Sequence, residues 1–193
     1  MTGAKPFRGG HTRRRRVVAR RDAPEVRVAP SGVDIGRATE ADLDDIMDLQ
    51  AANQPERGGM LSASLPRSRV AEMIRERPLV VARRSGRVVA FLMSSTREMN
   101  DNVPIVRAML DAYPGRSDAY VYGPICVEEE ERGKGLARAM FTALRHLAPG
   151  REGILFIRRD NPASLRTHTK MGMREVAGFA FGDIDYAVLS YVG

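Results

Sequence analysis

Two short stretches combine residue types and spacings that could do chemistry. The first is Arg132-Gly133-Lys134-Gly135-Leu136-Ala137-Arg138, which directly follows four glutamates, Glu128 to Glu131. Glycine is costly in regular structure because its unfolded chain has so much freedom to lose. Two glycines a residue apart therefore point to a backbone that turns tightly or lets something approach closely. Arg132, Lys134 and Arg138 make an anion the natural ligand. The second stretch is NPASLRTHTKMGM at 161–173. Asn161, Ser164 and His168 are spaced three and four apart and so share one face of a helix, and histidine exchanges protons near neutral pH. Cys126 is the only cysteine. To act as a nucleophile it would need a base or cation beside it, and none is identifiable. A lone cysteine in an apolar strand reads better as core.

Several anion sites could use the first stretch. A Walker loop requires Gly-x4-Gly-Lys-Ser/Thr, but Gly135 follows Lys134 and Glu128 occupies the first glycine position, so this reading is rejected. A dinucleotide fingerprint requires a third glycine where Arg138 stands. What remains is Arg/Gln-x-x-Gly-x-Gly/Ala, met by Arg132, Gly135 and Ala137. At the start of a helix, this turn offers consecutive backbone N–H groups and the positive end of the helix dipole to a phosphate.

The flanking pattern supplies the necessary elements. VDIGRA (33–38) is β-like, and Thr39 with Asp42 resembles a capping box for a helix running to about Ala52. A loop at 53–66 leads to a helix near 66–77. Apolar runs at 79–83 and 87–95, joined at Ser85-Gly86, read as a hairpin. An irregular connection with a short helix near 103–113 leads to AYVYGPICV (119–127). A proline cannot donate to a ladder, so Gly123-Pro124 marks a bulge or an end of pairing. If that strand were regular, Tyr120 and Tyr122 would share a face with Cys126. Helix 136–148, the continuous apolar strand 153–158, a helix capped by Asn161-Pro162, and strands at 172–181 and 184–192 follow.

In this order, strand, turn, helix, strand and second motif resemble the GNAT superfamily of acetyl-CoA-dependent N-acetyltransferases, over roughly residues 33–193. The resemblance implies an α+β fold: a mixed, mostly antiparallel sheet with a parallel splayed strand pair and flanking helices. It also implies acetyl-CoA as co-substrate. Arg132, Gly133, Lys134, Gly135, Leu136, Ala137 and Arg138 would hold the pyrophosphate. The backbone of Ile125, Cys126 and Val127 would hold the acetyl and pantetheine groups, with an N–H polarising the thioester carbonyl. Asn161 and Ser164 would border the pantetheine arm. His168 stands where the family often has tyrosine, and Met173 where it often has phenylalanine. An imidazolium protonates a departing thiolate downhill, so His168 is the candidate general acid, against a competing reading in which it only packs. Tyr122 is a candidate acceptor-side catalytic residue. Loop 53–65, insertion 96–118 and the turn at Gly182-Asp183 would shape the acceptor pocket, with Met60, Met99 and Met109 giving it an apolar part. Glu128 to Glu131 are expected to point outward into solvent.

Composition narrows the setting. At 43% hydrophobic over 193 residues, the chain can bury a sizeable core. One cysteine and three dispersed histidines provide no disulfide framework and no metal-ligand spacing. No apolar run approaches a membrane span, and the default setting is cytoplasmic. The net charge of +7 lies entirely in residues 1–30, where nine cations face two anions, leaving residues 31–193 formally neutral. That Arg-rich segment reads as a disordered solvated tail in preference to a nucleic-acid arm, since it has no aromatic platform. The expected partner is a small-molecule or peptide amine, and a homodimer is compatible with the sequence. Two functions follow: direct acetyl transfer to a primary amine in a ternary complex, or a non-catalytic acyl-CoA-binding domain that docks on a polyanion through its tail.

Overall fold

The computed structural model describes residue 1, residues 32–61 and residues 64–193. The Arg-rich segment therefore lies outside the described residues, apart from Met1. One seven-stranded sheet organises the rest, with strands β1 (Asp34–Arg37), β2 (Val80–Arg84), β3 (Arg87–Ser95), β4 (Tyr120–Val127), β5 (Glu152–Arg158), β6 (Arg174–Phe181) and β7 (Ile184–Val192) in the order β1-β2-β3-β4-β5-β7-β6. Every neighbouring pair is antiparallel except β4–β5. The helices are α1 (Leu43–Ala52), α2 (Arg67–Glu76), α3 (Pro104–Ala112), α4 (Leu136–Leu147) and α5 (Pro162–Lys170). This is the mixed sheet with flanking helices expected from the sequence. None of the described helices is long and apolar enough to cross a membrane.

The sheet is covered on both faces. Leu136, Met140, Phe141 and Leu144 of α4 pack with Val80, Leu92, Leu155 and Leu189 on one face. On the other, Ile46 and Leu49 of α1 and Val70 and Met73 of α2 meet Val81, Phe91 and Met93. Val106 and Met109 of α3 cover Val121, Ile154 and Val188 beside them. Each fully buried aliphatic or aromatic side chain contributes about 1.5–3 kcal/mol relative to exposure. Met109 is therefore core and does not line an acceptor pocket.

The ends of the elements follow their local chemistry. Asp42 accepts from the Thr39 N–H at 2.6 Å, closing the expected capping box, although a short 3-10 turn, Glu40–Asp42, precedes α1. Arg83 grips the same carboxylate at 2.7 Å through both Nε and Nη2. Burial alone would raise the Asp42 pKa, but these partners hold it below the usual carboxylate range. The β2–β3 turn has positive φ at Ser85 (51°) and Gly86 (82°), as a two-residue hairpin requires.

One irregularity decides the site. The register of β3 with β4 runs Phe91↔Cys126 and Leu92↔Ile125 but then Ser94↔Tyr122. Three residues of β4 thus span two of β3, a bulge at Gly123-Pro124 of the kind expected there. A one-residue insertion inverts side-chain alternation beyond it. Tyr120 and Tyr122 consequently face α4 while Cys126 faces α1. The expectation that all three share a face fails for this reason.

Candidate active site

Beyond the bulge, β4 and β5 part. Their parallel register is confined to Tyr120↔Gly153 and Val121↔Ile154. Ile125, Cys126 and Val127 pair with β3 alone, while Leu155–Arg158 pair with β7. The backbone of Ile125–Val127 thus has no strand partner on its β5 side, and the two strands are splayed there. Ile125 and Val127 are half-buried on the α4 face, as are Ala139 of α4 and Leu165 of α5.

The anion turn lies where β4 leads into α4. Gly133 and Gly135 have φ of 76° and 83°, a region that L side chains rarely adopt. A Cβ at either would meet no atom within 4 Å, so conformation, not crowding, demands glycine. The first helical bond of α4 runs from Ala139 N–H to Gly135 O at 3.1 Å. The N–H groups of Leu136, Ala137 and Arg138 precede that ladder and are available to an anion. Lys134 and Arg138 are exposed beside them. A pyrophosphate fits this turn.

Arg132 is exposed and has partners within the chain. Its Nη2 donates to Asn53 Oδ1 at 2.8 Å and its Nε to the Val127 carbonyl at 3.3 Å. It ties the end of α1 to the end of β4. Two of the four glutamates differ from the expectation. Glu129 and Glu130 are exposed, but Glu128 accepts two bonds from Arg87 at 2.8 and 2.6 Å. Glu131 is buried and accepts from Arg84 Nε and Nη2 at 2.8 and 2.9 Å, with Lys134 Nζ at 3.4 Å. The Arg84 guanidinium, and Lys134 after it, hold the Glu131 carboxyl below its ordinary range. The spacing is compatible with these pairs but does not identify them. Arg84 and Arg87 flank the Ser85-Gly86 turn with the same three-residue spacing that separates Glu128 from Glu131.

The second motif caps and aims a histidine. Asn161 Oδ1 accepts from the Ser164 N–H at 3.1 Å, so Asn161 is the N-cap of α5, as expected. His168 is 3% exposed, and its Nδ1 lies 2.8 Å from the Ser164 carbonyl oxygen. A carbonyl can only accept, so Nδ1 carries the proton and Nε2 of the neutral ring is left as an acceptor. Burial lowers the His168 pKa, although the Ser164 bond offsets part of that shift. The ring meets Tyr122 edge to face, with centroids 5.7 Å apart; Phe141 and Tyr191 complete the pocket around Tyr122 at 6.1 and 5.8 Å. Among the described residues, the Tyr122 hydroxyl and His168 Nε2 are buried without a hydrogen-bond partner. Buried orphans are rare and call for an explanation. Here a donor–acceptor oxygen and an acceptor nitrogen in adjoining rings lack partners, on the side of the sheet where Ile125 and Val127 pack. Burial also raises the Tyr122 pKa well above that of a free phenol. The structure therefore brings Tyr122, His168, Ser164 and the strand 125–127 together on the α4 side.

Cys126 lies across the strand from them, buried under α1 with Sγ 4.0 Å from the Leu49 carbonyl. Burial pushes its thiol up to about 12, so it is protonated and packs. On that same side, a groove of about 570 Å³ runs between the end of α1 and the start of α2, bordered by Met47, Ala51, Glu56, Arg57, Leu65 and Pro66.

Solved structures share this architecture. The yncA protein of Salmonella typhimurium, determined with its cofactor acetyl-CoA, superposes with a TM-score of 0.61 over 84% of this chain and 94% of its own, at 18% identity. The ribosomal-protein-alanine N-acetyltransferase of Brucella melitensis matches with a TM-score of 0.60 over 82% of this chain and 98% of its own, at 21% identity. The ribosomal-protein-S18-alanine N-acetyltransferase of Escherichia coli matches at 0.59 over 83% and 93%, at 15% identity. No curated protein matches the chain by sequence. The profile of the acetyltransferase (GNAT) family matches residues 43–173, spanning both motifs and the splayed pair between them, and the chain belongs to that family.

Proposed function

We propose that this protein is an N-acetyltransferase that moves an acetyl group from acetyl-CoA to a primary amine by direct transfer in a ternary complex. The observation that carries this reading is the junction of β4 and α4. The strand separates from β5 after Val121, and the left-handed glycine turn follows where the separation is open. A long ligand with a pyrophosphate and an acyl arm suits that shape. The turn Gly133–Arg138 would hold the phosphates, and the backbone of Ile125–Val127 would accept the arm and polarise its carbonyl. Ser164 and the Asn161-capped start of α5 would border it. Acetyl-CoA supplies the activated acetyl thioester.

The chain's own residues then have to manage one proton. The amine must lose it and the CoA sulfur must gain it. His168 is the proposed general acid. Because burial holds its ring neutral, the proton it gives must be one that Nε2 has first accepted, relayed by water from an amine that enters on the opposite, α1 face of β4. Tyr122, whose hydroxyl faces no partner, would orient that exchange. Cys126 takes no covalent part. The groove between α1 and α2 is the proposed acceptor site: Met47 and Leu65 give it an apolar part, and Glu56 and Arg57 set opposite charges at its border.

The test is thiol release. Offered acetyl-CoA and a library of primary amines, the protein should liberate free CoA with some of them. Its initial-rate lines should intersect, as a ternary complex requires, whereas parallel lines would mean an acetyl-enzyme. Binding of acetyl-CoA without thiol release from any amine would favour the non-catalytic alternative.

A further inference from the structure

We propose that the tip of the β2–β3 hairpin is a positioning device for the anion turn. It acts through two bidentate arginine–glutamate pairs, Arg84–Glu131 and Arg87–Glu128. Arg84 and Arg87 are direct register partners across the hairpin. Like charges in that arrangement repel and destabilise a strand pair. Four glutamates beside a pyrophosphate site are equally unfavourable. The structure removes the first conflict and relieves the second with the same four side chains, Glu129 and Glu130 remaining exposed. Each arginine presents its planar fork to one carboxylate, at 2.8 and 2.9 Å for Arg84–Glu131 and at 2.8 and 2.6 Å for Arg87–Glu128. The Glu128 N–H also donates to the Val89 carbonyl at 2.9 Å, rooting the segment on β3.

The two pairs thus pin both ends of the short 3-10 turn Glu129–Glu131, one residue before the Arg132 that opens the anion turn. Glu131 reaches further, since its Oε1 lies 3.4 Å from Lys134 Nζ inside that turn. Affinity for the phosphates is then set partly by a hairpin that does not touch them. The left-handed conformations at Gly133 and Gly135 are held ready before the ligand arrives, and that preorganisation spares ordering cost on binding.

This inference rests on the assignment of acetyl-CoA to the turn, and its test separates the two. CoA binding by calorimetry and steady-state kinetics on the full chain are compared for wild type, Glu131→Gln, Arg84→Ala, Arg84→Lys and the exchange Arg84→Glu/Glu131→Arg. Arg159→Ala, which removes an exposed pair with Glu175, is the control. A pure charge effect would move the first two in opposite directions, with Glu131→Gln binding more tightly. Positioning weakens both, raising the Kd for CoA and the KM for acetyl-CoA by roughly 5- to 30-fold. kcat at saturation should stay within about twofold of wild type. Arg84→Lys keeps the charge but loses the fork and should also weaken binding, whereas the exchange should recover most of the loss. Glu131→Gln binding as tightly as wild type, or Arg84→Lys matching it, overturns the positioning role. Failure of the wild-type protein to bind CoA overturns the ligand assignment instead. Should Arg84→Ala not fold, Glu131→Gln and Arg84→Lys still decide the matter.

Discussion

The anion turn at Gly133–Arg138 and the aromatic pocket at Tyr122 and His168 are built from different materials. In the turn, Gly133, Lys134, Gly135 and Arg138 are exposed, and the groups proposed to meet a ligand are backbone N–H donors with a cation on either side. In the pocket, Tyr122 and His168 are each 3% exposed, and the atoms proposed to react are single side-chain heteroatoms in adjoining rings, with Phe141 and Tyr191 packed around Tyr122. The turn is built from the local conformation of six consecutive residues, with the hairpin pairs Arg84–Glu131 and Arg87–Glu128 bracing the segment before it. The pocket exists only because α5, α4, β4 and β7 converge. Binding and proton transfer are therefore expected to fail separately when each region is altered.

The largest effect is expected at the turn. Gly135→Val places a β-branched residue at φ 83°, where strain costs about 1–3 kcal/mol. Since no neighbour would clash, the domain should fold while acetyl-CoA ceases to raise its melting temperature. An undiminished shift in this variant would break the assignment of the turn.

In the pocket, His168→Ala should lower turnover by roughly 10- to 1,000-fold with little change in CoA affinity, the opposite pattern to Gly135→Val. Tyr122→Phe sharpens the point because it removes only a hydroxyl that has no partner. Losing an unsatisfied buried group should leave stability unchanged or slightly raised. A fall in turnover of about tenfold in that variant would then report the reaction and not the packing. Equal turnover would assign Tyr122 to the core.

The buried histidine also makes stability depend on pH. Burial lowers the folded pKa, so between the folded value and the ordinary value of about 6.5 the unfolded chain binds more protons. Stability attributable to His168 is thus complete above about pH 6.5 and is lost as pH falls through the folded pKa, at no more than about 1.4 kcal/mol per pH unit. Chemical denaturation of wild type and His168→Gln over pH 5 to 8 should show a steeper acid decline in the wild type. Parallel curves would mean that the ring is not buried neutral. The smallest effect belongs to Cys126. Cys126→Ala should keep turnover within about tenfold, because a thiol raised to about 12 is no nucleophile at neutral pH.

Much of this was legible in the sequence wherever the information is local. The αL glycines, the Asn161 cap, the Ser85-Gly86 hairpin and the bulge at Gly123-Pro124 each depend on the φ/ψ preferences or hydrogen-bonding groups of a few adjacent residues. Hydrophobic periodicity placed α4 and the continuous apolar strand β5 for the same reason. The sequence could not reveal what the bulge does to the face. Period-2 counting puts Cys126 with Tyr122, and the extra residue turns it toward α1 instead. Neither could it reveal that His168 is buried and neutral, because desolvation depends on which elements close over the ring. Glu131 is the sharpest case. Four glutamates in a row read as solvated, and only the hairpin, arriving from 47 residues earlier in the chain, brings the guanidinium that lets one of them be buried. Local preferences were set by the sequence itself; electrostatic partners separated by long stretches of chain were decided by the tertiary structure, since burying a carboxylate is stable only where a partner is delivered to it.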